Sequence, residues 1–237
     1  MIEELLNRNP HLLFYSILAL SVVILRLPGI GRYFRTVNTL LHESGHALAT
    51  ILTSGEVVHV ELNQDTSGNA LTKSGSKSRA VFVSIAGYPF AAFTSGIFIW
   101  LVSNNQHKYV LFILLSIALL NLILFVRNTY GIIWLLTFSG LIVCVAWIDI
   151  PAVTRIFSLT VSLIAFAETI MSTLVILYLG FTQPKKAGDL TNLARTSKIP
   201  AAIWALLIAG IVAILVYYTI ASNFPDPMQP FTHLTVQ

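Results

Sequence analysis

Apolar runs about as long as a bilayer is thick recur along this chain, and no other feature restricts its fold so strongly. A helix that crosses a membrane needs about 20 predominantly apolar residues. Such runs cover residues 11–27, 36–53, 80–102, 109–126, 130–147, 152–180 and 199–222. The second is short and is interrupted by Asn38, His42, Glu43 and His46, so about six or seven spans are expected. Charged residues make up 10% of the sequence, against about 25% in a soluble domain. A chain with so few charges cannot cover its surface in water, and its mean hydropathy of +0.79 agrees. In lipid every backbone polar group must be satisfied internally, which favours helices. The expected fold is an all-α multi-pass membrane bundle surrounded by lipid bilayer.

One stretch breaks the pattern. Between residues 55 and 73, Val58, Val60 and Leu62 alternate with His59, Glu61 and Asn63. Asp65-Thr66-Ser67-Gly68 and then Ala70-Leu71-Thr72 follow. Alternation around a glycine-bearing turn predicts a β-hairpin inserted after the second run. Open strand edges are excluded from hydrocarbon, so the hairpin is expected at an interface or against the helices. Residues 1–222 read as a single membrane-embedded domain, and residues 223–237, with three prolines, as a loose tail.

The first run follows Glu3, Glu4 and Arg8 rather than a basic segment, and no A-x-A site comes after it. It reads as an anchor, not a cleaved signal. With seven spans and a cytoplasmic N-terminus, nine Lys and Arg fall inside and five outside, as the positive-inside rule prefers. The expected location is a cell membrane of bacterial type. The formal net charge of +4 is not gathered into a basic cluster with interleaved aromatics, so nucleic acid is not an expected partner. The single cysteine, Cys144, excludes an intrachain disulfide and reads as a small core residue.

Chemistry enters with His42-Glu43-Ser44-Gly45-His46, which matches H-E-x-x-H. Residues i and i+4 share one helix face, so two imidazoles there can grip one Zn2+ ion. The adjacent Glu43 is placed as general base for a zinc-activated water. Ionisable residues within a spanning segment are costly and usually functional. Three of them within five residues call for one explanation, and a metal ion supplies it. The bland alternative is a polar helix face lining a water-filled cavity.

Further segments match in order: Thr53-Ser54-Gly55-Glu56-Val57-Val58, Asp65-Thr66-Ser67-Gly68, Ala86-Gly87-Tyr88, residues 126–131 and Gly188-Asp189-Leu190-Thr191-Asn192-Leu193-Ala194. With residues 42–49 they make the chain resemble the site-2-protease-type membrane zinc metallopeptidases, in their compact "B-like" bacterial and fungal branch. The resemblance implies peptide-bond hydrolysis in or beside the membrane, on a membrane protein or peptide substrate. It implies His42 and His46 as zinc ligands and Glu43 as base. It also implies that an unfolded substrate segment adds to the hairpin edge as a strand.

The chain departs from that pattern at the third ligand. Better-known members draw it from an Asp-Gly pair on a later helix. Here Asn121-Leu122 leads instead to Arg127-Asn128-Thr129-Tyr130-Gly131. Asn128 falls near the expected place, but an amide oxygen binds zinc poorly. Of the four aspartates, Asp65 falls in the hairpin turn, Asp149 at a helix end and Asp226 in the tail. Asp189 lies in the family-like segment and is the first candidate, its alternative being an N-cap for a short helix over 190–196. Glu168, midway along an apolar run, is the runner-up. Two functions follow: a zinc metalloendopeptidase, or a catalytically inactive relative that binds or retains membrane proteins.

Overall fold

The computed structural model describes residues 10–225. Its elements are α1 (Pro10–Arg26), α2 (Ile30–Leu52), β1 (Glu56–Leu62), β2 (Gly68–Lys73), α3 (Lys77–Ser103), α4 (His107–Leu120), α5 (Thr129–Ile148), α6 (Pro151–Thr182), α7 (Asp189–Ser197) and α8 (Ala201–Asn223). A π-helical turn, Asn121–Phe125, continues α4, and a 3-10 turn, Pro184–Lys186, precedes α7.

Among the described residues, five helices are long and apolar enough to cross a membrane: α3, α4 with its π turn, α5, α6 and α8. α1 and α2 pass only as a pair bent by 103°, which makes six candidates if the pair is one broken span. This overlaps the sequence expectation at six. The break between the two helices has a local cause. Proline disfavours helix in the residue before it, and Pro28 is followed by Gly29 at φ +79.

The remaining boundaries are also chemical. Ser76 caps α3 through its Oγ, which accepts from the Arg79 N–H at 3.4 Å. Asp149 closes α5 in the left-handed conformation, and Pro151 opens α6 at a position where no N–H is needed.

One end of the bundle gathers the start of α1, the end of α3, the starts of α4 and α6 and the end of α8. Leu13, Ser103, His107, Arg155 and Asn223 line a common cavity there, of about 440 Å³. The hairpin and α7 belong to the opposite end, since the hairpin precedes the start of α3 and α7 lies between the end of α6 and the start of α8.

The core has two parts. The larger joins α2, the hairpin and α4–α6 through Leu40, Leu41, Val60, Leu62, Leu114 and Trp134. The smaller pins α7 against α3, α6 and α8 through Leu190, Leu193, Ala205 and Ile208. Large apolar side chains also cover the outside, from Leu12 and Phe112 to Tyr217 and Trp147. That is how helices solvated by lipid look, since apolar surface costs nothing there. Cys144 is among the exposed residues, which corrects its expected core position. A lipid-facing helix surface tolerates such a side chain as well as a protein interior does.

Candidate metal centre

α2 places His42 and His46 one turn apart, and their Nε2 atoms stand 3.0 Å from each other. The i, i+4 spacing makes that approach possible. Ring orientation is set by neighbours. The Val83 carbonyl lies 2.7 Å from His46 Nδ1. A carbonyl only accepts, so Nδ1 carries a proton, and in the neutral ring Nε2 is the nitrogen left with a lone pair. The Tyr88 ring packs edge-on against His42, with centroids 4.4 Å apart.

The close approach of α3 depends on Gly87. A Cβ there would lie 2.5 Å from His42 Cε1 and 2.7 Å from both Nε2 atoms. Facing it on α2, a Cβ on Gly45 would lie 2.7 Å from Phe90 Cβ. Two glycines thus allow the backbones to meet beside the imidazoles.

Asp189 completes the group. Its Oδ2 is 3.1 Å from His42 Nε2 and 3.1 Å from His46 Nε2. α7 is a short amphipathic helix, and burial of Leu190 and Leu193, both fully enclosed, is worth about 1.5–3 kcal/mol each. Gly188, at φ +54, turns the chain just before it. The N-cap is Gly188 and not Asp189, and no side-chain capping bond forms, so the capping alternative is not what the structure shows. Burial opposes charge on the Asp189 carboxyl, but neighbouring His46 and His42 hold it below the ordinary carboxylate range. It therefore presents an anion.

Among the described residues, His42, His46 and Asp189 are the one group of three or more such side chains whose ligand atoms converge. Ligand atoms around a tetrahedral ion with bonds of about 2.0–2.1 Å stand about 3.3 Å apart. The observed 3.0–3.1 Å separations meet this within a few tenths of an ångström. Two imidazoles and a carboxylate are also a donor set that suits catalytic zinc.

Glu43 points to the other neighbour of α2, the hairpin. It is buried and lies against β2. Gly68 rests on it, since a Cβ there would collide with the Glu43 carboxylate. Thr39 ties the turn down by donating to the Thr66 carbonyl at 2.7 Å. Behind α2, Ser44 Oγ accepts from Asn121 Nδ2 at 2.9 Å, at the start of the π turn.

The other sequence candidates lie elsewhere. Glu168 forms a 2.8 Å ion pair with Arg35 on the preceding part of α2, so its buried charge is already matched. Asn128 hydrogen-bonds both backbone groups of Leu62 in β1. Asp65 sits in the hairpin turn and accepts from Ser67 N–H and Oγ at 3.0 and 2.6 Å. Asp149 pairs with Lys108 in the open at 2.9 Å. His59 lies 3.6 Å from Glu61 on the hairpin, and His107 Nδ1 lies 2.9 Å from Ser158 Oγ. Asp226 and His233 fall outside the described residues. The sequence reading missed Gly87 and Tyr88 as parts of the site. Ala86-Gly87-Tyr88 was visible as a segment, but a glycine's need for space shows only when its neighbour is known.

Neither a curated protein nor a solved structure matches the chain. A family model does, over residues 15–219, a range that takes in the His42–His46 pair, Glu43, the hairpin and Asp189, and the chain therefore belongs to the Peptidase M50B-like family.

Proposed function

We propose that this chain is a membrane-embedded zinc metalloendopeptidase that hydrolyses peptide bonds of membrane proteins or peptides. The observation that carries this reading is the convergence of His42, His46 and Asp189 to 3.0–3.1 Å beside a buried Glu43. Three lone-pair donors aimed at one point repel one another unless a cation or shared protons lie between them. A Zn2+ ion held by these three would polarise a peptide carbonyl and acidify an attacking water.

The chain's own residues supply the rest. Glu43 takes the proton from the water as it attacks and delivers it to the leaving amine, so its carboxylate is regenerated. The Val83 carbonyl keeps His46 in the ligating tautomer. β2 packs on Glu43 at Gly68, so a substrate segment that adds to the free edge of β2 in extended form brings its backbone near the base. Asp189 provides the carboxylate that the missing Asp-Gly pair left open. That supports an active enzyme over an inactive relative that binds membrane proteins.

The hairpin end is read as cytoplasmic. Lys73, Lys77, Arg79, Lys185, Lys186, Arg195 and Lys198 flank the helix ends there, as the positive-inside rule prefers. With α1 and α2 counted as one broken span, α1 starts on the opposite face, whereas a seven-span count would put it with the hairpin.

The test is metal analysis and cleavage on the purified protein. We expect one zinc per chain, and Glu43→Gln to keep the zinc while cleavage of a membrane-spanning peptide falls at least ~100-fold. Undiminished turnover in Glu43→Gln, or a parent that binds no zinc, would sink the reading.

A further inference from the structure

The hairpin's far edge is closed by a side chain. Outward-facing N–H and C=O groups recur at alternate residues of a strand edge. On the side of β1 away from β2, the Val60 carbonyl accepts from the Arg127 N–H at 3.2 Å, in a parallel bridge between Val60 and Val126. Two residues on, the Leu62 N–H donates to Asn128 Oδ1 at 3.2 Å, and the Leu62 carbonyl accepts from Asn128 Nδ2 at 2.5 Å. A carboxamide offers one acceptor and a donor side by side, so one asparagine satisfies both groups that a neighbouring strand would have satisfied.

The seat for that amide is built. A Cβ on Gly131 would lie 2.5 Å from Asn128 Oδ1 and 2.7 Å from Val126 Cγ1. The segment reaches the hairpin because the π turn ends with Val126 in an extended conformation. Arg127 fixes that ending by donating to the carbonyls of Val126 at 2.8 Å and Leu124 at 2.7 Å. β2 itself packs on Glu43, whose carboxylate an added Cβ on Gly68 would meet. The two-stranded sheet is thus held between Asn128 and the α2 base.

We infer that Asn128 is a positioning residue for hydrolysis: it closes the β1 edge as a third strand would, holds β2 at its distance from Glu43, and directs an extended substrate to the β2 edge. This inference rests on the peptidase reading above. It assigns Asn128 away from the metal, although it falls where relatives carry a ligating aspartate. Aspartate would serve this role badly, because a carboxylate oxygen in place of Nδ2 would set acceptor against acceptor at the Leu62 carbonyl.

The experiment compares the full-length parent with Asn128→Ala, Asn128→Asp and Gly131→Ala. It measures zinc affinity, hydrogen exchange of the hairpin amides, and kcat and KM on a membrane-spanning peptide. Loss of both bonds should speed exchange around Leu62 about tenfold or more in Asn128→Ala. KM should rise by a similar factor, more than kcat falls, while zinc affinity stays within about twofold. Asn128→Asp should be no better than Asn128→Ala, and Gly131→Ala should fall between parent and Asn128→Ala. Tighter zinc binding or faster cleavage by Asn128→Asp would overturn the inference and make position 128 a ligand site. Unchanged hairpin exchange in Asn128→Ala would also overturn it, as would a loosened hairpin with unchanged kcat and KM. A parent that cleaves no peptide would instead overturn the peptidase reading, and exchange and zinc affinity would still decide the clamp.

Discussion

α2 carries two polar clusters within the bundle, and they meet their partners differently. Near its start, Arg35 pairs with Glu168 of α6 at 2.8 Å. Alongside, Thr169 donates to Asn38 Oδ1 at 2.7 Å. Two turns on, His42 and His46 meet Asp189. In the first cluster each charge or donor has an acceptor of its own, so the groups are used up in holding α2 to α6. In the second, three acceptor-capable atoms point at one place, and among the described residues no Lys or Arg pairs with them. The comparison teaches that a buried ionisable residue suggests a function only after its partner is known. Glu168 was a candidate ligand as a charge midway along an apolar run and Asp189 for its family-like segment, and the partner separates them.

Substitutions can break or sharpen this contrast. The largest effect is expected for His46→Ala, which removes a ligand and the Val83 contact together. Stoichiometric zinc should be lost on dialysis and cleavage should fall to background. Zinc retained at one per chain would erase the distinction between the clusters. Next comes Asp189→Ala, for which zinc affinity measured by competition with a chelator should drop by more than ~100-fold, since even outer-shell partners cost about 10–100-fold. An affinity within about threefold of the parent would leave a site with two protein ligands.

Glu168→Ala should behave in the opposite way. Zinc affinity should stay within about twofold, while stability falls by about 1–3 kcal/mol, less than a fully buried pair because Arg35 is part-exposed. Thermal unfolding in detergent would show this, and loss of zinc there would make Glu168 a ligand after all. The smallest effect is expected on the hairpin surface, where Lys73 and Glu56 pair at 3.0 Å with both side chains about two-thirds exposed. Lys73→Ala should change stability by no more than about 0.5 kcal/mol and leave zinc untouched. A larger loss in the same unfolding assay would show that the hairpin is held by its surface charge and not by Asn128 and Thr39.

Much of the architecture was legible because its causes are local. Length and apolarity mark α3–α6 and α8. Alternation from Val58 to Leu62 marks β1, and Asp65 to Gly68 marks the turn. The break at Pro28-Gly29 was also in the sequence, where the runs on either side, 11–27 and 36–53, counted as separate spans. Whether two apolar helices form one broken span depends on their angle, here 103°, and an angle is not a local property. The exposure of Cys144 was misread for a related reason. In lipid an apolar residue gains little by facing inward, so hydrophobicity no longer separates inside from outside.

The site divides in the same way. By itself the sequence determined that His42 and His46 share a helix face with Glu43 one residue along, because helical periodicity follows from backbone geometry. Tertiary structure alone decided what stands opposite them. Asp189 is 143 residues from His46 along the chain and reaches it because Leu190 and Leu193 bury against α8 and α6. Gly87 brings α3 to the imidazoles because it has no Cβ. Asn128 bonds to β1, not to the histidines, because the π turn ends in an extended segment beside Val60. Each of these meetings is a balance of burial and hydrogen bonding between segments far apart in sequence, and no local pattern encodes which of several suitable side chains the packing will bring together.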